Sequence, residues 1–141
     1  MEKLLVRDLM HLGVFTCKVD TLLSEVAQTM IDNRVHCVVV VDEMGEACGV
    51  ISDLGILEAC DRDLRKIKAE DVLHRCTVAI RPAATISAAV RKMREQHIHH
   101  LVILSEHPLH RPVGILAASD IVKEMARICN IRLQPAGKSN L

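Results

Sequence analysis

The 141-residue chain has almost no aromatic side chains: Phe15 is its one phenylalanine, and tryptophan and tyrosine are absent. The core must therefore be aliphatic, and the stacking platforms that hold single-stranded bases are missing. The chain also lacks net charge, because 18 basic and 18 acidic side chains cancel. Without a positive surface field, binding to nucleic acid or to an anionic membrane is disfavoured. We expect neither partner.

Targeting and crosslinking signals are missing as well. The opening MEKLLVRDLM does not have the basic head, long apolar segment and cleavage site of a secretory signal. The longest apolar runs have the length of strands, far below that of a membrane span. The six cysteines, at positions 17, 37, 48, 60, 76 and 129, form no C-x-x-C pair, so no disulfide framework or zinc site is indicated. Together these features predict a cytoplasmic protein whose thiols are small core residues.

What the sequence does contain is a repeat. The phrase NRVHCVVVVD returns 63 residues later as QHIHHLVILS, and each copy places a histidine, His36 or His99, before a short apolar run. Copies of this length indicate supersecondary units that bury their apolar faces against one another. We expect a first repeat over residues 1–63, a second over 64–129 and a frayed tail over 130–141.

Each copy shows the same alternation of patterns. Apolar residues at helical spacing predict helices over residues 23–31 and 86–93. The unalternated runs 38–41 and 101–104 predict strands that are covered on both faces. Short strands follow turns at 43–46 and 107–112. The order strand–helix–strand–strand then ends in a second helix, so the fold class is α/β or α+β with two small sheets packed through their helices.

The second helix of each copy is marked by its first residues. Asp53, and later Ser119 or Asp120, are good residues for a helix N-terminus. The charged stretch Asp61–Asp71 is expected to continue the first of these helices as a solvated face and to join the copies.

The order and repetition of these motifs resemble a pair of cystathionine-β-synthase (CBS) domains, often called a Bateman module, over residues 1–129. The resemblance implies two pseudo-symmetric β-α-β-β-α repeats and a non-catalytic regulatory sensor. It also implies clefts between the repeats for an adenine nucleotide or related adenosyl ligand, with AMP, ADP, ATP and S-adenosylmethionine as candidates. Assembly into a homodimer and signalling to an unknown effector protein would follow, with no cofactor required.

The family's ribose motif, Gly-h-h-S/T-x-x-D, is divided between the copies. The first, GVISDLG over residues 49–55, keeps Ser52 but has Gly55 where the carboxylate belongs. The second, GILAASD over residues 114–120, keeps Asp120 and has Ser119 beside it, but Ala117 replaces the hydroxyl. The resemblance implies ribose contacts from Ser52, Ser119 and Asp120. A carboxylate at a helix start is also a common helix cap.

The histidines fall where nucleotide-binding members, such as the γ subunit of AMP-activated protein kinase, can carry phosphate contacts. These positions are His36 and Cys37 in the first copy and His99 and His100 in the second. An imidazole can donate to a phosphate oxygen, and a nearby phosphate favours its protonated form. The alternative is that His36 and His99 only cap the strands. The second copy combines His99 and His100 with Ser119 and Asp120, and it therefore offers the better candidate cleft.

The adenine-lining strand of the family aligns with Phe15–Cys17, which contains Thr16, and with the segment Val78, Ala79 and Ile80. The alternative for both segments is ordinary core.

Two other classes of function stay open. A ligand-free module that only dimerises or docks would also suit the broken ribose motifs. A metal or redox sensor is indicated by five histidines within fourteen residues (His97, His99, His100, His107 and His110). However, an extended strand would place His97 and His99 on one face and His100 on the other. An enzyme is not expected, because no nucleophile–base pair or phosphate-binding loop is recognisable.

Overall fold

The structure, a computed structural model, describes residues 3–73, 79–106 and 111–129. Val78, Cys76, His107, His110, most of the predicted turn at 107–112 and the tail 130–141 lie outside these ranges. The first half of the chain contains α1 (Val6–Leu9), β1 (His11–Leu12), β2 (Thr16–Lys18), α2 (Leu23–Asn33), β3 (Cys37–Val41), β4 (Ala47–Ser52) and α3 (Asp53–Leu57). A 3₁₀ turn at Leu64–Lys66 follows, and then come α4 (Ala69–Val72), β5 (Ala79–Ile80), α5 (Ile86–Gln96), β6 (His100–Leu104), β7 (Pro112–Ala117) and α6 (Ala118–Ile128).

The two long helices of the repeats, α2 and α5, form where the apolar periodicity predicts them. Each buries residues spaced three or four apart, for example Leu23, Val26 and Met30 in α2, so one stripe faces the core. Both helices end at a residue with left-handed backbone, Arg34 and His97, each with φ of 53°. Glycine usually occupies this position because a side chain there is strained.

The strands form two sheets with matching connections. In the first sheet β3 lies between β2, which is parallel to it, and β4, which is antiparallel. In the second sheet β6 lies in the same way between β5 and β7, and β1 is added at the edge of β7. Residues Cys37–Val40 are all buried, which confirms the prediction of strands covered on both faces. The strand–helix–strand–strand–helix order and the α+β class are confirmed.

A short segment precedes each repeat, and we call residues 4–13 the first opener and residues 64–73 the second opener. Each opener packs onto the core of the repeat that it does not precede. Val6 of the first opener is fully buried in the core of the second repeat, beside Ile80 and Leu116. Ile67 and Ala69 of the second opener are buried in the core of the first repeat. The core of residues 79–128 is thus completed by the N-terminal end of the chain.

Matching backbone hydrogen bonds hold the two openers. Val6 N–H donates to the Ala84 carbonyl, and Ile86 N–H donates to the Leu4 carbonyl, at 2.8 and 3.0 Å. In the first repeat, Ala69 N–H donates to Thr21 and Leu23 N–H donates to Ile67, both at 2.8 Å. The expected division at residues 63 and 64 stays a prediction about the sequence repeats, because the packing of the openers crosses it.

The prediction that Asp61–Asp71 continues the preceding helix is wrong. Helix α3 ends at Leu57, turns follow, and the chain then runs through the 3₁₀ turn into an extended stretch before α4. Asp63 begins this turn, because its carboxylate accepts from the Arg65 N–H at 3.0 Å. Burial of Ile67 and its hydrogen bond to Leu23 hold the chain extended, and these tertiary contacts outweigh local helix propensity.

Within the three described ranges, no helix has both the length and the apolar character needed to cross a bilayer.

Candidate functional site

A cleft of about 500 Å³ opens between the two repeats, within the size range of small-molecule sites. One wall comes from the end of β4 and the start of α3, and the other from the turn that joins α5 to β6. Four of the ten predicted site residues line it, two from each repeat: His36, Ser52, His99 and His100. Val50, Leu54 and Ile98 supply apolar surface, so the cleft can contact both a flat ring and polar groups.

His36 pairs with Asp53, the first residue of α3. Its Nδ1 lies 3.4 Å from Oδ2 of Asp53, and both side chains are largely exposed in the cleft. The two residues are also joined through the backbone, since the Asp53 N–H donates to the His36 carbonyl at 3.0 Å. The first residue of α3 therefore holds a carboxylate beside the imidazole.

His100 is the half-buried imidazole of the cleft. Burial is the main cause that lowers its pKa below the ordinary value of 6.5, and nearby His36 and His99 lower it further. Asp53 and Asp120 act in the opposite direction. Because the lowering effects dominate, His100 is neutral at pH 7 and can either donate or accept a hydrogen bond.

His97, His99 and His100 all line the same cleft, whereas the prediction for an extended strand placed His100 on the opposite face from the other two. That prediction assumed an extended strand through all three residues. In the structure His97 has left-handed backbone at the end of α5, and β6 begins only at His100. The bend brings successive histidines to one wall.

The alternative strand-capping role of the histidines also has structural support. The His99 carbonyl accepts from the Ala118 N–H at 2.8 Å, which matches the bond between His36 and Asp53 in the first repeat. These bonds use only the backbone. The imidazoles remain available to the cleft, so the two interpretations are compatible.

Ser52 caps α3 and lines the cleft at the same time. Its Oγ accepts from the Gly55 N–H at 3.4 Å, a long bond. Gly55 itself is buried and, having no side chain, supplies no carboxylate at the motif position.

Asp120 is engaged within the protein rather than lining this cleft. Its Oδ2 accepts from the Ala117 N–H at 3.1 Å, which caps α6. Its Oδ1 lies 3.0 Å from His11 Nε2 of the first opener, and the Asp120 side chain is only 13% exposed. The predicted ribose contact stays a prediction, and a ligand at Asp120 would compete with His11.

The remaining candidates lie elsewhere. Ser119 is the second residue of α6 and Thr16 pairs with Val39 at the edge of the first sheet, and neither is among the residues that line the cleft. Ala79 and Ile80 lie in β5 and line a separate open groove with Lys92, whose Nζ donates to the Ala79 carbonyl. Val78 lies outside the described ranges. The adenine-lining role of Thr16, Val78, Ala79 and Ile80 stays a prediction, as does the ribose contact of Ser119.

Motif matching missed Asp53 and Glu58, the two carboxylates of the cleft. The ribose motif has its acid three residues after Ser52, at the position of Gly55, so Asp53 does not match it. The position of Asp53 in the cleft did have a signal, because Asp53 begins α3 directly after β4, and β4 pairs with β3, the strand that follows His36. Glu58, one residue beyond α3, gave no comparable signal.

Two thiols of the first repeat, Cys17 and Cys37, are poor nucleophiles. Burial raises the pKa of Cys17 and of Cys37 to about 11, and neighbouring Cys48 and Asp53 respectively add to the effect. In the parts of the chain that the structure describes, no three histidine, cysteine or acidic side chains are grouped as metal ligands.

The family model for the CBS domain matches this chain twice, over residues 6–62 and 69–127. The chain belongs to the CBS domain family. A CBS domain-containing protein of Dictyostelium discoideum is 25% identical over 138 residues, which cover 89% of this chain and 94% of that protein. A homoserine O-acetyltransferase of Methanosalsum zhilinae is 27% identical over 87% of this chain, but the chain spans only 24% of that enzyme.

Solved CBS domain pairs share the fold. The CBS pair of protein MJ0100, in complex with 5′-methylthioadenosine and S-adenosyl-L-methionine, has a TM-score of 0.80 at 21% identity and covers 89% of this chain and 98% of that one. The protein CBSX2, in complex with AMP, has a TM-score of 0.74 at 19% identity, with coverage of 89% and 98%. At these identities the likeness establishes the fold, a CBS domain pair.

Proposed function

We propose that this CBS pair is a regulatory module that binds an adenosyl compound in the cleft between its repeats. The observation that carries the proposal is the cleft of about 500 Å³, in which the histidine phrases of both repeats meet Ser52. AMP, ADP, ATP and S-adenosylmethionine are the candidates. The ligands named for MJ0100 and CBSX2 support this class of compound.

The chemistry of the cleft suits such a ligand. Val50, Leu54 and Ile98 would contact the adenine faces, while the imidazoles and the Ser52 hydroxyl would hydrogen-bond to polar groups of the ligand. None of these roles requires a bond to be made or broken, so we propose a sensor rather than an enzyme.

The signal would arise because the two walls of the cleft belong to different repeats. A ligand that touches both the α3 wall and the α5–β6 turn would favour the relative orientation of the repeats in which both contacts form. The shift is limited to the difference in affinity between the two orientations. An effector protein would bind one of the two orientations preferentially.

Free thiols at the described cysteines suit a reducing cytoplasm.

We propose further that the module is a homodimer. Large apolar side chains are exposed on α3 and on α6, the helices at equivalent positions of the two repeats; they are Leu54, Leu57, Val122 and Met125. Equivalent apolar faces suit a twofold partner. Sedimentation at micromolar concentration should give a dimer, and Leu57→Glu with Val122→Glu should give monomers. Met44→Glu, in an exposed turn, is the control.

A ligand-free dimerisation module is the second candidate function. It is favoured by the engagement of Asp120 with His11 and by the absence of a side chain at Gly55. The two proposals differ in one observable, since only the sensor changes its unfolding temperature with a ligand.

Calorimetric titration with the candidate compounds tests the sensor, using Leu54→Trp to fill the cleft. The matched control is Leu57→Trp, three residues further along the chain on α3. Leu54 is 65% exposed and Leu57 62%, but only Leu54 lines the cleft. We expect Leu54→Trp to abolish binding and Leu57→Trp to preserve it. Equal binding by both variants, or no binding by the unmodified protein, would contradict the proposal.

A further inference from the structure

The charges that line the cleft indicate which kind of adenosyl ligand it would hold. Among the residues of the described ranges, the lining contains two carboxylates, Asp53 and Glu58, and neither lysine nor arginine. Phosphate sites in proteins are normally supplied with arginine, lysine or several free backbone N–H groups. The positive charge that a nucleotide phosphate needs would have to come from imidazoles alone.

The imidazoles are poorly placed to supply that charge. His36 already faces Asp53, with Nδ1 3.4 Å from Oδ2, so a phosphate at this imidazole would lie close to a carboxylate. His100 is kept neutral chiefly by burial, in the presence of Asp53, His36, His99 and Asp120. At neutral pH the fixed charges of the lining are therefore negative.

Within the described lining of the cleft, Asp53 has no lysine or arginine as a partner. Its Oδ1 accepts from the Leu54 N–H at 2.9 Å, and its partner His36 is an exposed imidazole. Glu58 is exposed at the end of α3. Two carboxylates in a partly apolar cleft attract a cation more strongly than the same groups in open water, because screening is weaker there.

We infer that the cleft selects an adenosyl sulfonium, the cationic class to which S-adenosylmethionine belongs, over phosphate-bearing adenine nucleotides. The inference rests on the proposed function, because it concerns the same cleft. Adenine and ribose would contact the same walls in either ligand. The selection comes from the group on the 5′ carbon, which is positive in the sulfonium and negative in AMP.

Four compounds test the sign of this selection on the full chain by calorimetry at pH 7.5 and low salt. S-Adenosylmethionine and S-adenosylhomocysteine differ by one methyl group and the positive charge on sulfur, 5′-methylthioadenosine is neutral, and AMP is anionic. We expect S-adenosylmethionine to bind at least about tenfold more tightly than AMP, with the two thioethers, which carry no net charge, between them.

Charge-removing variants connect the selection to the cleft. Asp53→Asn and Glu58→Gln keep the side-chain size and should each reduce the preference for S-adenosylmethionine over AMP by about threefold or more. Glu43→Gln removes the same charge from the exposed β3–β4 turn and should leave the preference unchanged.

The outcomes separate this inference from the proposed function. If AMP binds as tightly as S-adenosylmethionine, or if the preference is insensitive to Asp53 and Glu58, the inference is overturned while the sensor stands. If none of the four compounds binds, both are overturned.

Discussion

Replacing Gly114 with alanine tests the docking of the first opener on the second repeat. A Cβ at this position would lie 2.5 Å from the backbone oxygen of His11, about 1 Å closer than an ordinary contact. Because the obstacle is backbone, β1 itself must move away from β7. The Gly13 N–H to Val113 carbonyl bond of 2.8 Å and the His11–Asp120 contact would then weaken.

We expect Gly114→Ala to lower the free energy of unfolding by about 1–3 kcal/mol, the usual cost of overpacking a close contact. For a chain of this size that is a decrease in unfolding temperature of about 3–12 °C. Urea denaturation followed by circular dichroism measures the first quantity, and a thermal scan measures the second.

Gly55→Ala is the matched control. Its Cβ would lie 3.7 Å from Cγ2 of Ile51, an ordinary contact, and the residue is in helix α3. Alanine should therefore stabilise the protein by about 0.4–1 kcal/mol, because it lowers the conformational entropy of the unfolded chain. If Gly114→Ala is as stable as the unmodified protein, β1 is not packed on β7 in the way that the structure describes.

Three smaller predictions concern the left-handed residues, the buried histidine and the thiols. Arg34→Gly relieves a left-handed side chain and should raise the free energy of unfolding by about 0.5–1 kcal/mol, whereas Arg91→Gly inside α5 should lower it by about 1 kcal/mol; urea midpoints compare the two. Because burial lowers the pKa of His100 below 6.5, the unfolded chain takes up a proton more readily. Stability should thus fall as the pH drops below about 6.5, and less steeply in His100→Asn. With a pKa of about 11 instead of 9.0, Cys37 should react with iodoacetamide at pH 8 about 100-fold more slowly than an ordinary thiol. Peptide mass spectrometry should find the exposed Cys60 modified before Cys37, and faster labelling of Cys37 would contradict its burial.

The elements of the repeats could be predicted from the sequence because their signals are local. The spacing of Leu23, Val26 and Met30 defines a helix wherever the segment packs. The repeated phrase likewise placed His36 and His99 at the start of their strands, and both reached the cleft. Predictions of helices and strands that depend on a few neighbouring residues were therefore confirmed by the structure.

Contacts between segments that are distant in the chain could not be predicted from the same patterns. Val6 and Ala69 are apolar residues that could fill either core, so nothing in the periodicity says which opener packs on which repeat. The cleft likewise depends on tertiary placement, because Asp53 became a cleft residue through the pairing of β4 with β3. Asp120 was expected at a ligand, but its carboxylate is engaged by His11, 109 residues away.

Two fragments of similar length provide a test of how the openers pack. Residues 1–63 form the first sequence repeat but lack Ile67 and Ala69, which are buried in the core of that repeat at 2% and 0% exposure. Residues 16–73 include every member of that core and omit the first opener. Burial of Ile67 contributes about 1.5–3 kcal/mol, and the hydrogen bonds from Leu23, Ala69 and Glu70 contribute about 1 kcal/mol each.

Since a domain of roughly 60 residues is only marginally stable, a deficit of about 4–6 kcal/mol is enough to unfold it. We therefore expect residues 16–73 to unfold cooperatively on heating and residues 1–63 to show no transition, by circular dichroism at equal concentrations. Ile67→Ala in the 16–73 fragment should destabilise it by about 2–4 kcal/mol, whereas Lys66→Ala, on the exposed side of the same turn, should have little effect. If residues 1–63 fold cooperatively and residues 16–73 do not, each core is completed within its own sequence repeat. The packing of each opener on the repeat that it does not precede would then be wrong.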